Sequence, residues 1–309
     1  MGCTDLFKHL GLRLVSFTET ANSIEKKEPL PSETTASPFI SKRQFLDKFR
    51  PCIRQESVLD RTQARTFIDS CVNDIYGENI VSRGDMLRYV TAELDSNGVL
   101  FDVDLYNDIL ELYVRHRLNI LPSVFLREMS PNKPNDVTHK VLLERYALSG
   151  DVKSAVHHVK QLEGDAETNQ DVAGWLAHAF VKKGDVKTAN KLLSSAKKKI
   201  QTADDRMHVP LICAYAELGN ENLLREALFE LSEESCGVGR MFEFLALGGH
   251  AGIISRILKD DIHRCTIEEW EQVIRRCLLR GDHPMASLFV QHSTRRGASI
   301  SNIYLQALK

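Results

Sequence analysis

Proline is scarce in this chain, nine in 309 residues, and three of the nine (Pro29, Pro31, Pro38) crowd into one short stretch. Beyond that stretch helices meet few forced interruptions. No apolar run approaches the ~18 to 20 residues that a membrane-crossing helix needs, so membrane insertion is not expected. An excess of one charge is also missing. Lys and Arg number 40 against 42 Asp and Glu, a formal net charge of -2. The chain thus lacks the strongly basic total that most simply marks a nucleic-acid binder. Seven cysteines at 3, 52, 71, 213, 236, 265 and 277 form no C-x-x-C pair and are odd in number. They suit reduced core thiols better than a disulfide framework or a zinc site.

Catalytic signatures are absent as well. There is no G-x-x-x-x-G-K-[ST], no G-x-G-x-x-G before a helix, no H-E-x-x-H, and no H-x-E with P-C-x-x-C. His157 and His158 are adjacent, and adjacent helical residues point about 100° apart, a poor arrangement for holding one metal. Glu233-Glu234 reads as a helix end. No enzyme activity, cofactor or metal is expected.

Near the start, Leu6 to Phe17 reads LFKHLGLRLVSF, amphipathic with Lys8, His9 and Arg13. This is a weak likeness to a mitochondrial transit peptide, and Asp5, Glu19, Glu25 and Glu28 count against it. Leu6 stands where a myristoylation signal wants Ser or Thr. Residues 18–40, rich in Ser, Thr, Glu and Pro, read as a linker. From Val58 onward apolar residues recur at three and four, with no sustained alternation of period two, so the fold class is all-α. The expected organisation is a disordered or targeting segment over 1–57, a degenerate helical pair over 58–102, and a repeat array over 103–309.

The array shows in five aligned segments: YALSGDVKSA (146–155), FVKKGDVKTA (180–189), YAELGNENLL (215–224), LALGGHAGII (245–254) and CLLRGDHPMA (277–286). Their glycines, 150, 184, 219, 249 and 281, are spaced by 34, 35, 30 and 32. A sixth copy, Tyr113 to Arg117, has Arg at the glycine place. A helix ends near each glycine, which tolerates the left-handed C-cap conformation. Asp151, Asp185 or Asp282 then starts the next helix, its carboxylate facing free N–H groups. Such a hairpin buries its apolar face only by stacking on neighbours, which is the logic of a helical-repeat solenoid.

Two families share this period. Tetratricopeptide repeats want a small residue about seven before the glycine; here those places hold Leu143, Ala177, Ile212, Phe242 and Ile274. The run from Pro134 to Leu143, PNDVTHKVLL, instead resembles a pentatricopeptide opening, as does VDLYNDIL from Val103. DLYNDILELYVRHRLNILPSVFLREM, PNDVTHKVLLERYALSGDVKSA and AHAFVKKGDVKTANKLL are similar to the N-terminal repeats of the animal leucine-rich pentatricopeptide-motif family, whose insect relative is known as the bicoid stability factor. The likeness covers roughly residues 80 to 290 and is strongest over 103–225.

The resemblance implies a right-handed superhelical solenoid of about six pentatricopeptide repeats that binds single-stranded messenger RNA without catalysis. It implies a mitochondrial matrix location, with nuclear roles also ascribed to the family. It further implies a small partner protein carrying an RNA-recognition domain, and support of messenger RNA stability, polyadenylation and translation. In such arrays each repeat shows one base a few side chains, chiefly at its fifth and last places. The fifth places are Asn107, Lys140, Gly174, Val209, Gly239 and Glu271, and the last are Asn135, Asn169, Asp204, Glu234 and Thr266. Asn107 with Asn135 resembles a pyrimidine pair, and Lys140 with Asn169 offers a base or phosphate contact. Lys182, two before its glycine, fits a family phosphate contact. Expected RNA-binding residues are thus Asn107, Asn135, Lys140, Asn169, Lys182 and Asp204. Lys183, Lys187, Lys191 and Lys197 to Lys199 add positive charge that a phosphate track could use, although such a run more often is a solvated helix face. The other reading is a protein-interaction scaffold that touches no RNA. Finally, Ile303 to Leu308 is an apolar run without a polar cap, from which self-association is expected.

Overall fold

The computed structural model describes residues 39–54, 59–130, 132–162, 168–200, 207–229, 238–260 and 265–308; the Leu6–Phe17 stretch and Asp204 lie outside them. The described residues form 16 helices and a single bridge between Ile40 and Ile75. None of these helices is long and apolar enough to cross a membrane.

α1 (Lys42–Arg54) falls inside the segment expected to be unfolded. Its signal is local. Ser41 and Gln44 form a reciprocal cap, with the Ser41 N–H donating to Gln44 Oε1 at 2.8 Å and the Gln44 N–H to Ser41 Oγ at 3.2 Å. Phe45 and Phe49, one turn apart, stack at 5.7 Å and meet Phe67 edge-on, so this helix carries core.

Seven helix pairs follow. They are α2 (Arg61–Asn73) with α3 (Ile80–Ser96), α4 (Val103–Arg115) with α5 (Pro122–Met129), and α6 (Asp136–Ser149) with α7 (Val152–Val159). Next come α8 (Gln170–Lys182) with α9 (Val186–Lys199), α10 (His208–Glu217) with α11 (Glu221–Phe229), α12 (Val238–Leu247) with α13 (Ala251–Asp260), and α14 (Ile267–Leu279) with α15 (His283–Arg295); α16 (Asn302–Ala307) stands last.

The hairpin corners explain the repeated sequence. Gly150, Gly184, Gly219, Gly249 and Gly281 all have positive φ, 67° to 90°. At each corner the residue after the glycine donates its N–H to the carbonyl of the residue four before it: Tyr146, Phe180, Tyr215, Leu245 or Cys277. Arg117, in the degenerate copy, adopts φ 52° and keeps the same bond, Leu118 N–H to Tyr113 O at 2.8 Å. The stack holds it there although a side chain in this region costs about 1–2 kcal/mol. Asp151, Asp185 and Asp282 cap the second helices by accepting from the N–H three residues on. Ala155, Ala189 and Ala286 are fully buried where the paired helices cross.

First helices stack on first helices throughout, α2 on α4, α4 on α6, α6 on α8, α8 on α10, α10 on α12 and α12 on α14. Second helices scarcely meet one another, so the stack curves tightly with the first helices inside. Two glycines tighten it. A Cβ on Gly174 would sit 2.8 Å from the Met207 carbonyl oxygen, and one on Gly239 would sit 2.9 Å from Glu269 Cβ. These helices approach to a distance that only glycine permits.

The curve closes on itself. Arg83 of α3 is buried and donates to the carbonyls of Val72, Glu78 and Ile75, and across the seam to Leu279 of α14. Arg275 of α14 donates to Asn73 O at 3.1 Å and pairs with Asp74. Tyr76 OH lies 2.9 Å from His283 Nε2, and Arg280 Nη2 donates to His116 O at 3.3 Å. The apolar face expected to be bare near the last helix is partly covered. Tyr304 meets Phe39 edge-on at 6.2 Å, and Leu305 and Leu308 pack against the core.

One inner histidine makes the fold acid-sensitive. His178 of α8 is fully buried, with its Nδ1–H donating to the Pro210 carbonyl at 2.6 Å. Burial pushes its pKa down to about 4. The folded protein therefore binds fewer protons than the unfolded chain between the unfolded value near 6.5 and about 4. Stability is full above that window and falls as pH drops through it. The expected loss is about 3 kcal/mol between pH 7 and 4. Denaturant titrations across this range should show it, and His178→Gln should flatten the curve.

Candidate nucleic-acid interface

The expected base-reading residues are largely engaged in holding the repeats. Asn107 is buried on α4. Its Nδ2 donates to Asn135 Oδ1 at 3.0 Å, and its Oδ1 accepts from Thr138 Oγ1 at 2.7 Å. Asn135 is also the N-cap of α6 in a capping box with Thr138, and Asn169 caps α8 by accepting from Val172 N–H at 3.3 Å. In one repeat the fifth and last places thus meet in space, Asn107 bonded to Asn135, while Asn169 is bonded to a helix end. Gly174 and Gly239 mark helix contacts, and Val209 is core.

Lys182 is likewise occupied. Its Nζ pairs with Glu217, which holds the same place in the next repeat, and Arg117 Nη2 reaches the same carboxylate at 3.3 Å. Trp175 packs on Phe244 at 5.4 Å with the Arg240 guanidinium over its ring, and Trp270 stacks on Phe242 at 5.7 Å. Both indoles are core.

Lys140 is exposed and lines the mouth of a cavity of about 430 Å³ between α4, α6, α8, α12 and α14. Arg240 crosses this space to Glu144 at 2.7 Å. Burial pushes the carboxyls of Glu144 and Glu243 up, and the arginines beside them, Arg240 and Arg276, pull them back. Acids on the lining outnumber bases by five (Glu111, Glu144, Asp171, Glu243, Glu269) to three (Arg115, Lys140, Arg240). That balance repels phosphate. Sequence spacing could not reveal the Arg240–Glu144 bridge, which joins residues 96 apart.

A leucine-rich PPR motif-containing mitochondrial protein of Xenopus tropicalis is 28% identical over 95 residues, covering 30% of this chain and 7% of its own length. Its mouse counterpart matches equally, and that of rat is 27% identical over 95 residues. The chain is related to the pentatricopeptide-repeat family. It spans about 7% of the length of these relatives. No family model matches it. Among solved structures, the maize pentatricopeptide repeat protein PPR10 matches with a TM-score of 0.45 and 16% identity, over 86% of this chain and 40% of that one. PPR10 in complex with an 18-nt psaJ RNA element matches with a TM-score of 0.29 and 17% identity, over 85% of this chain and 37% of that one.

Among the described residues, the outer helix α9 presents a row of lysines to a polyanion. Lys183, at the end of α8 just before it, and Lys187, Lys191 and Lys198 along it, are exposed. Among the described residues no group of three or more His, Cys, Asp or Glu is placed to hold a metal. His139 and His158 approach alone, Nδ1 to Nδ1 at 3.0 Å.

Proposed function

We propose that this chain is a non-catalytic RNA-binding pentatricopeptide-repeat protein acting on mitochondrial messenger RNA. Its role is to support the stability, polyadenylation and translation of that RNA beside a small RNA-recognition-domain partner. The observation that carries the reading is the relationship to the mitochondrial leucine-rich proteins, on a stack of hairpins with the family's corner chemistry. Contact runs through phosphates along the α9 lysines, with little base reading, because Asn107, Asn135 and Asn169 are bonded within the fold.

Filter binding of a pyrimidine-rich single strand across a salt series tests this. Affinity should fall steeply with salt, since each neutralised phosphate releases counterions. Lys187→Glu with Lys191→Glu should cut it about tenfold or more and flatten the salt slope, while Asn107→Ala should leave sequence preference unchanged. Failure to retain RNA at low salt would sink the reading.

A second reading, a scaffold for protein partners, is favoured by the inward use of the base-reading places. It calls for the RNA-recognition-domain partner to bind with the same affinity in wild type and in the lysine variant, and for RNA to bind neither.

A further inference from the structure

We propose that the seam between α3 and α14 holds one small inorganic anion, clamped by Arg83, Arg115, Arg276 and Arg280. This inference is independent of RNA binding. These four side chains, with His116, Leu247 and Leu279, line a small, partly enclosed cavity of about 10 Å³. They arrive from three helices and two helix ends that are distant in sequence. The acid beside them, Glu243, takes Arg276 Nε at 2.7 Å. Arg276 Nη1 is buried without a partner. Arg83 and Arg280 are committed to carbonyl oxygens, which orient the guanidinium groups without cancelling their charge. The C-terminal ends of α4 and α14 offset part of it.

Of the carboxylates around these four guanidinium groups, Glu243 alone makes a direct ion pair with one of them, and Glu78 and Glu144 act from farther off, so in a seam that excludes most water the four repel one another. Burial and the neighbouring cations push Arg276 and Arg280 down to about 10, and His116 is driven well below its ordinary value by burial and the same arginines. An anion supplies both missing elements, a counter-charge and an acceptor for Arg276 Nη1. The cavity has room for about one water-sized body. A chloride ion, slightly larger than water, fits with a small outward shift of the arginines, and a tetrahedral oxyanion such as phosphate needs a larger one. A space this small excludes a polymer's phosphate.

Thermal unfolding at fixed ionic strength tests the site, with sodium gluconate as the bulky reference and chloride or inorganic phosphate titrated in its place. The expected result is a saturable rise in Tm of about 4 °C, since a ligand that binds only the folded state stabilises it. Which of the two ions saturates at lower concentration identifies the occupant. Arg280→Gln and Arg115→Gln should each abolish the rise and, in gluconate, melt no lower than wild type, because removing one like charge relieves the repulsion. Should Arg280→Gln fail to fold for want of its bond to His116 O, Arg115→Gln carries the test, because it leaves the Arg83 and Arg280 bonds intact. An equal rise in wild type and variants, or no rise in wild type, overturns the proposal.

Discussion

Replacing Arg83 by methionine is expected to destabilise the fold by about 3 to 5 kcal/mol, among the largest effects of any single substitution in this chain. The guanidinium serves four carbonyl groups, Val72, Ile75 and Glu78 at the corner of the first pair and Leu279 across the seam. Each carbonyl left unpaired in a dry seam costs about 1–3 kcal/mol, and methionine fills the volume while satisfying none of them. Lysine should rescue only part of the loss, because one ammonium cannot span that fan of acceptors. Urea denaturation measures the loss. Hydrogen exchange should quicken around Asn73 to Tyr76 and Arg275 to Gly281 before it does at the α6–α8 contact. A loss below about 1 kcal/mol would mean that Arg83 does not hold the seam.

The second large effect is at Gly174. Alanine there places its Cβ against the Met207 carbonyl oxygen at 2.8 Å, with Met207 Cα at 3.1 Å. Both obstacles are backbone, so the clash is relieved only by pushing α8 and α10 apart, at about 2–3 kcal/mol. Gly252 on α13 is the control. Nothing lies within 4 Å of its added Cβ and its φ is not in the left-handed range, so alanine should stabilise the helix by about 0.5–1 kcal/mol. Paired melts of the two variants should therefore move in opposite directions. A neutral Gly174→Ala would show that the first helices are not in close contact.

The parts of this fold that the sequence spells out are those built within one hairpin. The recurring glycines, the Asp caps after them and the buried alanines are local devices, and each appears in the structure with its hydrogen bond or burial. Even the degenerate copy could be read, since Arg117 takes the glycine's backbone conformation. α1 was legible in part: Ser41 and Gln44 bracket a cap, but the neighbouring Ser- and Pro-rich stretch masks it. The closure was not legible. Arg83 and Leu279 are 196 residues apart, and an arginine on an amphipathic helix looks like a solvated one until the partner helix is in place. For the same reason the spacing assigned Asn107, Asn135 and Lys182 their places in the repeats yet said nothing of their internal partners. A side chain's position in a repeat follows from local geometry, and its bonds follow from how tightly the repeats curve.

That curvature is the central claim, and a distance across the seam tests it most directly. Spin labels at Val81 on α3 and Pro284 on α15, both exposed, can be placed in a background whose accessible cysteines are serine. Pulsed electron resonance should then return one short, narrow distance. An unrolled stack would separate α2 from α14 by six helix-to-helix steps, on the order of 50 Å at 8–10 Å each. A long or broad distribution in that range would contradict the closed array.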